Sequence, residues 1–175
     1  MFDLWAAEHS VLREKVLEHI FVAELSKVLL LDMKLPFEIL RAEFDSNGYD
    51  IVIEVGEVTR RIQLKAMRLG GKRANVNINL ALTEKVGGCI IWFNADAANL
   101  ELGPFYWLGG PPQAKLKLPD SKPARHSKAN AAGVKLKRER LRIVNKGKFW
   151  KLDSMKEVGE ALFGTSPNNF WELKA

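Results

Sequence analysis

The residues best suited to chemistry are Asp50, Gln63 and Lys65, which lie on two runs rich in β-branched residues on either side of Gly56-Glu57. A two-residue loop with glycine in its first central position suits a type II′ hairpin turn, and that turn sets the register. Val55 then faces Val58, Ile53 faces Arg60, Ile51 faces Ile62 and Asp50 faces Gln63. Side chains alternate along a strand, so Asp50, Val52, Glu54, Thr59, Arg61, Gln63 and Lys65 share one face. Ile51, Ile53, Val55, Val58, Ile62 and Leu64 share the other. Directly opposed residues have Cβ atoms about 5 Å apart. A carboxylate, an amide oxygen and an ammonium are therefore expected around one small volume. The competing reading is the polar face of a half-exposed sheet, where Asp, Arg, Gln and Lys are ordinary.

Several elements must hold this hairpin in place. Residues 10–32 read as one long helix, with Ser10 as its N-cap. Apolar residues recur at Leu12, Val16, Ile20 and Val28, and again at Leu17, Phe21 and Leu25. Glu24 falls on the step between Ile20 and Val28, so an acid interrupts an apolar stripe and needs a cation, a donor or a metal. Glu18 lies one step off that stripe, nearer solvent. Pro36 ends the helix, residues 37–44 alternate as a strand, and residues 45–48 form a turn by composition. After the hairpin, a basic glycine-containing loop (Arg68, Gly70, Gly71, Lys72, Arg73) leads to residues 75–85, read as extended chain and then a short helix. The uniformly apolar residues 89–93 suit a central strand covered on both faces, with Cys89 as a small core residue. Residues 100–108 form a further strand, placed at an edge by Pro104. Residues 134–144 alternate apolar and basic side chains, and Ser154 with Glu157 opens a last helix with capping-box spacing.

The charge is unevenly spread. The chain of 175 residues carries a net charge of +6, yet residues 111–151 alone hold 13 Lys/Arg against 2 Asp/Glu. Such a concentration is expected of a surface that meets a polyanion, foremost nucleic acid. Lys72, Arg73, Arg125, Lys128, Lys135, Lys137, Arg138 and Arg140 are the candidate contacts. A solvated basic loop is the competing reading. A single cysteine gives no disulfide and no thiolate zinc site. The start of the chain shows no secretory signal, and no apolar run approaches the roughly 20 residues that span a bilayer. A cytoplasmic location with no membrane partner is the expectation. The composition divides the chain into a core (1–110), a basic extension packed on it (111–164) and a tail (165–175).

A helix bearing an acid, a strand, a strand starting at Asp50, a strand ending Gln63-Leu64-Lys65, a crossover and an apolar strand together resemble the core of the PD-(D/E)XK nuclease superfamily. The resemblance spans residues 10–93 and implies a restriction-endonuclease-like α/β fold, that is, α+β with a mixed sheet. Asp50 matches the family's Asp and Lys65 its Lys. Gln63 stands where most members carry an acid, as in the family's Gln-x-Lys branch, and Glu24 matches the acid many members carry on the first helix. The resemblance implies a hydrolase, an endonuclease acting on DNA with Mg²⁺ or Mn²⁺. Asp50, the Gln63 amide oxygen and the Leu64 carbonyl would be the metal's oxygen ligands, with Glu24 holding a water. Lys65 would orient the attacking water or stabilise developing charge. A homodimer is left open, because enzymes of this type often pair to reach two strands. The alternative is a nucleic-acid-binding module on the same fold that has lost catalysis.

Overall fold

The computed structural model describes residues 2–41, 48–125, 137–164 and 171–174. Helix α1 (Ser10–Lys27) is followed by strands β1 (Glu38–Arg41), β2 (Ile51–Val55), β3 (Val58–Arg68), β4 (Asn75–Asn79), β5 (Gly88–Ala95) and β6 (Leu102–Gly109). Strands β7 (Lys122–Arg125), β8 (Lys137–Asn145) and β9 (Trp150–Leu152) come next, then helix α2 (Met155–Phe163). Six strands form one mixed sheet in the order β1-β2-β3-β5-β6-β9, and β4, β8 and β7 form a second. The chain is thus a mixed α/β protein built on an N-terminal helix and a six-stranded sheet.

The hairpin folds as the turn residues require. Ile51 pairs with Ile62, Ile53 with Arg60 and Val55 with Val58, and Gly56 takes the positive φ of 56° that its place in the turn demands. Strand β3 then pairs in parallel with β5, from Arg61–Gly88 to Arg68–Ala95. A parallel pair needs a crossover. Here β4 and a 3-10 turn at Leu80–Glu84 supply it, extended first and helical second.

Strand β5 is buried along its whole length, and its alternation feeds two cores. Cys89, Ile91 and Phe93 pack with Leu17, Phe21 and Leu25 of α1 and with Val158, Ala161 and Leu162 of α2. Ile90 and Trp92 pack instead with Val76, Ile78, Val144 and Phe149 on the second-sheet side. The basic segment after residue 110 is woven into both layers. It supplies β7 and β8 to the second sheet, and β9, as an edge strand, to the first. One half of the capping box forms, the Ser154 hydroxyl accepting from the Glu157 N–H at 3.2 Å, while the Glu157 carboxylate accepts from the Asp153 N–H at 2.8 Å; Gly164 follows α2.

Three local expectations are corrected. Ser10 is the first residue of α1 and not its cap, because a 3-10 turn at Ala7–His9 runs straight into the helix. The α-helix stops at Lys27, and Val28–Asp32 continue as one π turn, closed by Met33 N–H donating to Val28 O at 3.0 Å. Strand β6 is flanked on both sides, by β5 and β9. Pro104 is tolerated because β9 covers only Phe105–Trp107 and the β5 register shifts between Phe93 and Ala95. The expected strand ending and turn at 42–47 lie outside the described residues.

Candidate active site at the open edge of β3

Strand β3 outruns β2. Its last pairing with β2 joins Ile62 to Ile51, whereas β5 accompanies it to Arg68. Beyond Ile62 the β2 side of β3 thus has no strand partner among the described residues. Asp50 stands at this fork. Its N–H donates to Ile62 O at 2.9 Å, and its carboxylate Oδ2 accepts from the Leu64 N–H at 2.6 Å. Successive residues of a strand direct their backbone groups to opposite sides. Arg61 N–H donates toward the β5 side, to Gly87 O at 3.0 Å; the Leu64 N–H and carbonyl therefore both face the open side.

A cavity of about 340 Å³ lies against this edge. Asp50, Leu64, Lys65 and Ala66 line it from the sheet, and Arg13, Glu14, Lys15, Leu17 and Glu18 from α1, with Arg73 contributed by the loop after β3. Asp50 and Lys65 are therefore brought together, as the hairpin register requires. Glu18 is only 6 % exposed. Its Oε2 accepts from Lys15 Nζ at 2.9 Å, while Oε1 is 3.5 Å from Arg41 Nε and has no hydrogen-bond partner. Arg13 is already committed, donating to Leu4 O at 2.9 Å and Ala6 O at 3.2 Å with its guanidinium over the Trp5 ring.

Glu24 is not among the residues that line this cavity. It lies six residues beyond Glu18, about 9 Å along the helix and rotated by about 240°. Burial raises its pKa above the usual glutamate value, with Lys27 opposing and Glu101 reinforcing that shift. The helical acids that line the cavity with Asp50 are Glu14, which is exposed, and Glu18, which is buried. A sequence signal existed for the buried one: Glu18, Phe21 and Leu25 follow the i, i+3, i+7 spacing of one helix face, and all three are buried.

Gln63 is also absent from the lining. It is 4 % exposed with Oε1 unpartnered, and alternation puts it on the face where Met67, Ile90 and Trp92 meet the second sheet. A carboxylate buried there without a partner would cost several kcal/mol. That is a physical reason for an amide at this position.

The other candidates are dispersed. Lys72 and Arg73 are exposed on the loop after β3, and Arg125, Lys137, Arg138 and Arg140 are exposed on β7 and β8. Lys128 and Lys135 lie outside the described residues. No ion pair holds Arg73, Arg125, Lys137, Arg138 or Arg140 to another described residue.

The donors at the open edge fit a hard cation in kind. They are the Asp50 and Glu18 carboxylates and the Leu64 carbonyl, all oxygen, and the buried Glu18 Oε1 accepts no hydrogen bond, its nearest cation being Arg41 at 3.5 Å. Among the described residues no three Asp, Glu, His or Cys side chains are clustered tightly enough to cage an ion alone. An ion here would keep several waters, which is how Mg²⁺ is usually held. No helix among the described residues is long and apolar enough to cross a membrane. No family model and no curated protein matches this chain.

Proposed function

We propose that the chain is a divalent-metal-dependent nuclease that hydrolyses phosphodiester bonds in DNA, on a restriction-endonuclease-like core. One observation carries the reading: Asp50, Lys65 and the buried acid Glu18 line a single cavity at the open edge of β3. Asp50, Glu18 and the Leu64 carbonyl would hold Mg²⁺ or Mn²⁺, which supplies charge neutralisation at the phosphate and a more acidic water.

The remaining work falls to the chain itself. Asp50 is anchored by the Leu64 N–H, so its carboxylate is held at the strand edge without a large reorganisation. Lys65 lines the same cavity, and its ammonium would orient the attacking water and stabilise charge that develops on the phosphate. Arg73 at the rim offers a guanidinium to a neighbouring phosphate. Gln63 acts on this arrangement from beneath, as a neutral buried side chain, and not as a ligand.

The test is conversion of supercoiled plasmid to open circles by the purified chain with Mg²⁺, with Mn²⁺ and with EDTA. Nicking with either metal and none with EDTA supports the reading; cleavage that survives EDTA overturns it. A second reading, a binding module on this fold without catalysis, is favoured by the position of Gln63 outside the cavity, which removes one expected oxygen ligand. DNA binding with no nicking under any metal would select it.

A further inference from the structure

Strand β4 accompanies β8 only from Leu141 to Asn145. Further toward its start, β8 pairs among the described residues with β7 alone, Arg138 opposite Ala124 and Lys137 opposite Arg125, after a register shift between Pro123 and Ala124. The second sheet therefore narrows to a two-stranded ribbon. On that ribbon Lys137, Arg138, Glu139 and Arg140 of β8 and Arg125 of β7 are all exposed, although Ala124 of β7 is buried, whereas the adjoining Leu141–Val144 stretch sinks progressively into the fold. Arg125 and Lys137 face each other directly, and like charges in opposed positions destabilise a strand pair. A fold that keeps them there benefits when an anion lies between or beside them.

We infer that the β7–β8 ribbon is a docking arm for double-stranded B-form DNA, entering its major groove with Arg125, Lys137, Arg138 and Arg140 reaching the flanking phosphates. This rests on the nucleic-acid reading above and adds to it the form of the substrate and the surface that selects it. Three features favour duplex DNA over other partners. The major groove of B-DNA is about 12 Å wide and admits a two-stranded β-ribbon, whereas the deep, narrow major groove of A-form RNA does not. Neither strand of the ribbon carries an aromatic residue, and proteins that hold single strands rely on aromatic side chains for stacking. The exposed large apolar residues of the described chain all lie elsewhere, so the ribbon lacks the anchors of a protein interface.

The experiment measures binding of the full chain by fluorescence anisotropy in EDTA, where cleavage is excluded, to a 20-base-pair DNA duplex, its single strand and an RNA duplex of the same sequence. The DNA duplex is expected to bind at least tenfold tighter than either competitor. Arg125→Ala with Lys137→Ala is expected to weaken duplex binding tenfold or more. It should also lower the slope of log affinity against log salt by about 2, for two lost phosphate contacts. Thermal melting of the double variant should be unchanged or slightly higher, since an opposed like-charge pair has been removed. Equal affinity for single strands or for RNA overturns the inference, and so does an unchanged duplex affinity in the double variant. If the double variant binds normally while the wild type nicks plasmid, the arm is wrong and the nuclease reading stands. Ribbon-dependent duplex binding without nicking leaves the arm standing and removes the nuclease.

Discussion

The Asp50 carboxylate accepts the Leu64 N–H at 2.6 Å, two residues past the point where β2 stops pairing with β3. A side chain thus takes over a strand's role for one step of the ladder. The consequence is that an acid on the cavity wall is also a structural member of the sheet, fixed by the hairpin register. Charge-assisted bonds of this kind are short and roughly twice as strong as neutral ones.

Glu18, and not Glu24, should be the helical acid that matters. Glu18→Gln removes the charge beside Asp50 and loosens Lys15 and Arg41; Mn²⁺ affinity measured by calorimetry should fall tenfold or more, with a comparable loss of nicking. Glu24→Gln should leave both within about twofold. Because burial raises the Glu24 pKa, neutralising it should not lower the melting temperature. A larger loss in Glu24→Gln than in Glu18→Gln would reverse the assignment.

Arg60 should prove one of the costliest residues to remove. Its fully buried guanidinium donates to Leu162 O at 2.7 Å, Gly110 O at 3.0 Å and Ala161 O at 3.3 Å, and it lies over the Trp107 ring. Two of these carbonyls end α2, where a cation is favoured by the helix dipole. Arg60→Ala strands those carbonyls and opens a cavity. A loss of about 3 kcal/mol follows from orphaning buried groups, which is about 6–12 °C in melting temperature for a chain of this size. Arg60→Lys should fall in between, since one ammonium cannot fork to three acceptors. Melting curves within 2 °C of the wild type for Arg60→Ala would contradict this.

Cys89 supplies a pH-dependent test of the core. Burial pushes its thiol from 9.0 up to about 12, with the Arg60 charge opposing. Between those values the unfolded chain has lost the thiol proton and the folded chain keeps it. The thiol's contribution is therefore fully present below about pH 9 and lost as pH rises toward 12. In denaturant titrations at pH 8 and pH 10.5, the wild type should lose more stability than Cys89→Ala over the same interval. The native thiol should also resist a disulfide reagent at pH 8. Rapid labelling of the folded protein would show that β5 is not covered as described.

Local signals were legible in the sequence, and long-range ones less so. The hairpin register follows from Gly56 and period-two alternation, both contained within 15 residues. The double burial of β5 follows from five unbroken apolar residues, and the extended-then-helical crossover from the pattern around Asn79. Which of Glu18 and Glu24 lines the cavity is not legible locally, because two apolar stripes compete on α1. Only the packing of Leu17, Phe21 and Leu25 against β5 and α2 says which one turns inward. Alternation puts Gln63 on the correct face of β3, but nothing local reveals that the second sheet covers that face. Arg60 stands out as a cation on the apolar face of the hairpin, but its partners, 50 to 102 residues away, leave no local trace.

Metal-dependent cleavage at the open edge of β3 is tested most directly by the rate of Mg²⁺-dependent plasmid nicking by the wild type beside Asp50→Asn and Lys65→Ala, each first shown by circular dichroism and melting to be folded. Both variants should fall at least 100-fold, as removal of an electrostatic catalytic group typically costs. Folded variants that nick at the wild-type rate would contradict it.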